Sequence, residues 1–316
     1  MTSLSVLRVL DLSEGVAGAF CAKLLAGFGA DVIKIERPGA GDPLRHHGPF
    51  PDDVPHGEKS ALFLYLNTGK RSITLDIAKR SGALLFRRLA EGAEVVVESF
   101  RPGYLADLGL GYRSLSRIKP RLVMTSVTPF GQNGPYAGYR ATNLTTSAAG
   151  GRMAVAGEPD RGPLETGGYQ AEYLAGLHAF AATAVVAFSA DATEVGQHID
   201  VAAMECLATM LEPQVSSWAY EKRDIGRRVD NESGTTFLRT VQKALEAPDP
   251  AHSFFQELDH PVAGRFTYPG PPFRAGAIPW QAARAPLLGE HNEQVYCGEL
   301  GLSREELTAL FASGVV

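Results

Sequence analysis

The stretch LRVLDLSEGVAGAFCAKLLAGFGADVIKIE, residues 7–36, decides the fold. Leu7 to Leu12 is an apolar run of strand length, Ser13 to Gly18 is a turn, and Ala19 to Phe28 has helical composition. Gly29-Ala30 closes that helix, and Asp31 to Glu36 reads as a second strand. Strand, glycine turn, helix and strand make a βαβ unit, which predicts a parallel sheet. The pattern continues outward. Ser72 to Leu75 is a short strand, Lys79 to Ala90 a helix, and Glu94 to Glu98 and Arg121 to Val127 are further strands. Alternation of this kind predicts a Rossmann-like, doubly wound open parallel α/β sheet.

Further on, the glycines of Ala149-Gly-Gly-Arg152 and Gly167-Gly168 lead into a helix from about Glu172 to Ala190. Thr193 to Gln197 is then a turn before a strand at His198 to Val201. From about Glu212 the character changes. Glu221 to Asp230 is heavily charged, Glu246 to Pro250 is a breaker cluster, and four prolines fall between Pro269 and Pro279. Ser303 followed by Glu306 has the spacing of a capping box at the start of a last helix. The expected organisation is a large domain over residues 1–205, a shortened small domain or linker over 206–272, and a returning segment over 273–316.

The chain has 316 residues, 45% hydrophobic and 21% charged, enough for a large core and more than one domain. A net charge of -5 supplies no basic field for nucleic acid or for an acidic membrane surface. Cys21, Cys206 and Cys297 are too few and too dispersed for a disulfide framework or a zinc site. His46 and His47, with Asp42 nearby, fit no metal template, so no metal is expected. The opening residues lack the features of a signal peptide. The apolar stretch from Tyr173 to Ala190 reads as a buried helix rather than a membrane span. A cytoplasmic setting is the expectation.

Three constellations invite chemistry. Gly15 and Gly18 in the first turn, with Glu36 ending the second strand, resemble a dinucleotide site, but G-x-x-G lacks the G-x-G opening that lets backbone approach a pyrophosphate. Lys34, Arg37, Lys70, Arg71 and Arg101 all fall at or near predicted strand ends, where the ligand crevice of such a sheet lies, and could converge on phosphates. Glu172 stands in the first turn of the long apolar helix. A carboxylate there either complements the helix dipole and does nothing more, or is a nucleophile kept ionised by the helix end. His178, six residues on, projects elsewhere and reads as a core histidine.

Several blocks then occur in order: Leu10 to Ser13, LLAGFGADVIKIERP at 24–38, Gly39 to Asp42, NTGKRSITL at 67–75, VESFRPG at 97–103, FGQNGP at 130–135, EYLAG at 172–176, TEVGQHIDV at 193–201, and Ala285 to His291. Together they resemble the class III (CaiB/BaiF, formyl-CoA transferase-like) CoA-transferases. The resemblance implies an interlocked dimer, of like or homologous chains. Each chain then has a Rossmann-like large domain and a smaller inserted one. It also implies transfer of CoA from an acyl-CoA to a small carboxylic acid, with CoA as substrate and no permanently bound cofactor. Carried over by position, the nucleophile is Glu172, and CoA meets Val16, Ala17, Arg37, Leu75, Asp76, Ser99, Phe100, Arg101, Tyr139 and Arg140.

The departures are specific. Glu172 replaces the usual aspartate, Val16 a frequent glutamine, Ser99 the asparagine of an E-N-F stretch, and Asp107 a basic residue. Residues 206–258 are shorter than the small domain of such proteins. A reduced small domain, in turn, suggests a second reading: a CoA-ester-binding subunit without catalysis, partnering an active homologue. Related α-methylacyl-CoA racemases need a histidine where this chain has Thr142, so one-base racemisation is the weaker enzymatic reading.

Overall fold

The computed structural model describes residues 4–227, 255–273 and 279–316; the breaker cluster at 246–250 and the end of the charged run at 228–230 lie outside them. The first unit forms as its pattern predicts: β1 (Arg8–Asp11), α1 (Val16–Gly27) and β2 (Asp31–Glu36). Helix α1 begins three residues before the expected Ala19, because Gly15 takes φ 82° and turns the chain at once. Next come α2 (Ala61–Leu66), β3 (Arg71–Thr74), α3 (Arg80–Glu91), β4 (Val95–Glu98), the short α4 (Tyr104–Asp107) and α5 (Tyr112–Leu115), and β5 (Val123–Thr128).

After β5 the chain forms α6 (Asn143–Ala149), α7 (Gln170–Thr193), β6 (His198–Ala202), α8 (Ala203–Ala208) and α9 (Glu212–Glu221). A hairpin of β7 (Phe255–His260) and β8 (Gly264–Pro269) follows, and α10 (Arg304–Ala312) ends the chain. The predicted capping box at Ser303 and Glu306 is present at α10.

The six strands β1 to β6 form one sheet in the order β3-β2-β1-β4-β5-β6, every neighbouring pair parallel. This is the doubly wound order, with its switch point between β1 and β4. Period-2 alternation divides the core between the two faces. Leu10, Ile33, Ile73 and Val96 pack with α3 and the C-terminal segment on one face. Val9, Val32, Val95 and Val97 pack with α1 and α7 on the other. The edge strand β3 is covered by the returning segment: Ser72 O accepts from His291 N at 2.9 Å, Thr74 N donates to Asn292 at 2.8 Å, and Tyr296 OH donates to Thr74 O at 2.7 Å. That cover satisfies backbone groups an open edge would expose.

Helix α7 has the length and apolarity to cross a membrane. One side of it packs instead on α1, β5, β6 and α8. Its buried residues include Ala171, Ala175, Gly176, Ala179 and Thr183. Its opposite side leaves Leu177, Val185 and Phe188 exposed.

Candidate active site

At the switch point, the turn after β1 and the turn after β4 meet. Ser99 Oγ accepts from Glu14 N at 2.8 Å and donates to Glu14 O at 2.7 Å, tying the two turns together. Around them is a cleft at the carboxyl edge of the sheet, lined among others by Glu14, Arg37, Leu75, Asp76, Phe100 and Tyr104. Four of the expected CoA positions therefore share one cleft: Arg37, Leu75, Asp76 and Phe100. Phe100 and Tyr104 make one wall, their rings 4.9 Å apart. Arg101 lies over the Tyr104 ring at 5.6 Å and pairs with Asp107 at 2.8 Å. Arg37 pairs with Glu14 at 3.0 Å. Tyr139 and Arg140 are on the loop that follows β5, exposed and outside this cleft; Tyr139 clusters with Phe130 and Tyr136.

Of the basic cluster, Lys34 and Arg37 line the cleft, but Lys34 and Lys70 are neutralised by buried carboxylates and Arg71 lies elsewhere. Lys34 is buried, pairs with Asp42 at 2.7 Å and donates to Ser13 O. Lys70 is buried against Asp11 at 2.8 Å, Asn67 Oδ1 at 2.8 Å and Ala19 O at 3.0 Å. Arg71 stands at the amino end of β3, on the opposite edge of the sheet, paired with Asp31 and Glu299. The physical reason is that Asp11, Asp42 and Glu36 are themselves buried beneath the cleft and require cations. Burial pushes the Asp11 carboxyl up, but Lys34 and Lys70 outweigh it and hold it below the usual range. Glu36 is taken by Arg45 at 2.7 and 2.8 Å, by Ser72 Oγ at 2.7 Å and by Asp42 N at 3.0 Å. A ribose would find no free oxygen there, which removes the dinucleotide reading.

Glu172 is placed by a helix crossing. Helices α1 and α7 approach so closely at Gly176 that a Cβ there would stand 2.5 Å from Ala17 O. One turn earlier on α7, Glu172 is carried to the start of α1, where the Val16 backbone N–H favours its carboxylate. Of the expected CoA contacts Val16 and Ala17, Val16 thus faces Glu172 and Ala17 faces Gly176 one turn on. Burial raises the Glu172 pKa above the ordinary glutamate value, and the Val16 hydrogen bond only partly opposes this. Desolvation therefore outweighs the helix end in setting the direction of its shift.

The start of α7 has no side-chain cap of its own. Asn143, the first residue of α6, supplies one from outside: its Oδ1 accepts from Ala171 N at 3.1 Å, and its Nδ2 donates to Gly168 O at 3.1 Å and to Glu165. Thr142, at the racemase histidine position, accepts from Thr145 N at 3.3 Å as the N-cap of α6. His178 Nδ1 bonds Leu174 O at 2.9 Å, back along its own helix.

Aromatic rings that no sequence motif singled out gather on Tyr173, the residue after the nucleophile position. Phe20 and Tyr173 meet edge to face at 5.0 Å, and Tyr65 lies 6.3 Å from Tyr173. Burial, with Tyr65, Glu172 and Tyr169 nearby, raises the Tyr173 phenol further. The available signal was adjacency, since Tyr173 follows Glu172 and Tyr169 precedes it by three residues.

A family model described as CoA-transferase family III matches residues 4–241. Subunit BbsE of the succinyl-CoA:(R)-benzylsuccinate CoA-transferase of Thauera aromatica is 33% identical, over 98% of this chain and 97% of that protein. That alignment runs over 400 positions, more than the 316 residues here, so the relative carries residues this chain lacks. Succinate–glutarate CoA-transferase of Agrobacterium fabrum is 38% identical over 67% of this chain, which spans 53% of that relative. Among solved structures, a CaiB/BaiF family protein from Brucella suis superposes with a TM-score of 0.82 at 27% identity, covering 94% of this chain and 99% of that one. With this sheet order, this crossing of α1 and α7 and these matches, the chain belongs to CoA-transferase family III.

Proposed function

We propose that this CoA-transferase moves CoA from an acyl-CoA to a dicarboxylic acid, with Glu172 as the carboxylate nucleophile. One observation carries the role of Glu172: a half-buried carboxylate facing the first N–H of α1, two residues beyond the cleft-lining Glu14. A carboxylate stripped of water, with its pKa raised, is a stronger nucleophile than an exposed one. Its oxygen attacks the thioester carbonyl and expels CoA thiolate, leaving a mixed anhydride. The thiolate attacks the glutamyl carbonyl, which releases the donor acid and leaves CoA on Glu172 as a thioester. The acceptor carboxylate repeats these two steps in reverse order and leaves as its CoA ester, restoring Glu172. No electrons or protons are gained or lost overall.

The cleft at the switch point fits the nucleotide end of CoA, with the Phe100–Tyr104 wall for the adenine. Arg37 and Arg101 serve the phosphates; their present partners, Glu14 and Asp107, form exposed ion pairs worth ~0–1 kcal/mol and exchange readily. Dicarboxylic acceptors are suggested by the relatives, whose names carry benzylsuccinate, succinate and glutarate. The exposed apolar residues Val185 and Phe188 on α7 and Trp218 on α9 support a subunit contact, with a like or homologous chain.

The test is intact-mass measurement after incubation with a panel of acyl-CoAs. A covalent CoA adduct mapping to Glu172, and absent from Glu172→Gln, is the expected outcome. CoA binding without any adduct or transfer would favour the second reading, a non-catalytic subunit, which the subunit status of the Thauera relative brings into view.

A further inference from the structure

Three lysines that flank or belong to α1 are buried: Lys23 at 3% exposure, Lys34 at 1% and Lys70 at 4%. Two of them are fully accounted for by Asp11, Asp42 and Asn67. Lys23 differs. Its ammonium rests on the face of the Tyr65 ring, 3.3 Å from the centroid, and among the described residues it has no ion pair and no hydrogen bond. An ammonium has three donors, and a ring face satisfies none of them as an acceptor oxygen would. Burying such a charge without an anion is unfavourable, so its partner is expected to come from elsewhere.

Tyr65 leads toward the reacting group through Tyr173. The half-buried rings of Tyr65 and Phe20 both meet Tyr173, which follows Glu172 in α7 and lies within reach of its charge. On α1, Lys23 lies seven residues from Val16, whose N–H faces Glu172, so about 10 Å along the axis. Helical side chains lean back toward the N-terminus, which shortens the gap to a span on the order of a four- to six-carbon chain. Lys23 is therefore too far to touch the reacting carboxyl, and well placed for a second one.

We propose that Lys23 is a specificity-determining residue that receives the distal carboxylate of a dicarboxylic acid, whose chain lies along Phe20, Tyr65 and Tyr173. This rests on the reading of Glu172 as nucleophile and names the residue that selects the acid. Burial and the nearby Lys70 lower the Lys23 pKa to about 7, so the resting site holds its charge weakly until an anion arrives.

The experiment compares acceptors of equal length, succinate against butyrate and glutarate against pentanoate, in the natural protein and in Lys23→Met. The diacid preference is expected to fall by ~10- to 100-fold, the effect of one charged hydrogen-bonded contact. An unchanged preference, or a natural protein that favours the monoacids, would overturn the assignment. Calorimetric binding of glutarate to Glu172→Gln, with and without Lys23→Met, reads the same contact with no chemistry involved. Equal affinities there sink the role of Lys23, whereas loss of affinity together with absent transfer in the natural protein would sink only the role of Glu172. Thermal melting separates the structural alternative. Removing an unpaired buried charge should leave Tm equal or higher, and a large drop or failure of Lys23→Gln to fold would mark Lys23 as a structural residue.

Discussion

Glu172 is balanced between two opposing influences, and its behaviour with pH follows from which one wins. Burial raises its pKa, so the nucleophilic form is lost as pH falls through a value above the ordinary glutamate range of about 4.3. The acid limb of kcat/KM for transfer should therefore lie at higher pH than an exposed glutamate would give, which a pH–rate profile checks. The stability effect runs the other way. With its folded pKa raised, Glu172 disfavours the folded state once it ionises, so its contribution declines as pH rises past the unfolded value. Glu172→Gln should be the more stable protein at pH 7 and indistinguishable at pH 3, while transfer falls by ~10⁴-fold or more. Glu172→Asp keeps the carboxylate but withdraws it by one methylene. Its activity should fall by ~10²-fold, since a misplacement of about 1 Å costs that much.

At the scale of elements, the decisive feature is the crossing of α1 and α7. Gly176 admits Ala17 O so closely that any side chain must separate the two helices. Gly176→Ala should cost ~1–3 kcal/mol in stability, read by denaturant unfolding, and should reduce kcat more than it alters CoA binding. Asn143 is the other control point, because it caps α7 from α6. Asn143→Ala removes a cap worth ~1 kcal/mol and should lower kcat with little change in melting. Neither residue touches substrate in this arrangement; each acts by fixing where the start of α7 stands.

For the whole molecule, the motif blocks acquire a physical meaning. Asp11, Lys34, Glu36, Asp42, Asn67, Lys70 and Ser72 come from four separate blocks and meet in one buried polar network under the switch point. Lys70→Met leaves Asp11 short of a partner and should destabilise by ~3–5 kcal/mol, measured by chemical denaturation. Peripheral pairs matter in a narrower window. The Arg284 hydrogen bonds lower the Glu290 pKa to about 2, so that pair supports the returning segment above the ordinary glutamate value. Its contribution is lost as pH falls toward that lower value. Subunit contact through the apolar side of α7 predicts that Phe188→Glu shifts the mass seen by light scattering toward the monomer.

The local pattern by itself determined the sheet, because strand–turn–helix alternation and period-2 burial are properties of neighbouring residues. The resemblance of the ordered blocks, rather than that pattern, singled out Glu172 as the candidate nucleophile and Arg37, Leu75, Asp76 and Phe100 as CoA contacts. Long-range proximity was not legible there. Lys34 and Lys70 read as strand-end phosphate ligands, and only the tertiary structure shows the carboxylates that bury them. Lys23 drew no reading of its own from the sequence, yet among the described residues it is the buried lysine left without a carboxylate. The sign of the Glu172 shift was likewise decided in space. Desolvation depends on what packs around a group, and the start of α1 reaches Glu172 from a distant part of the chain.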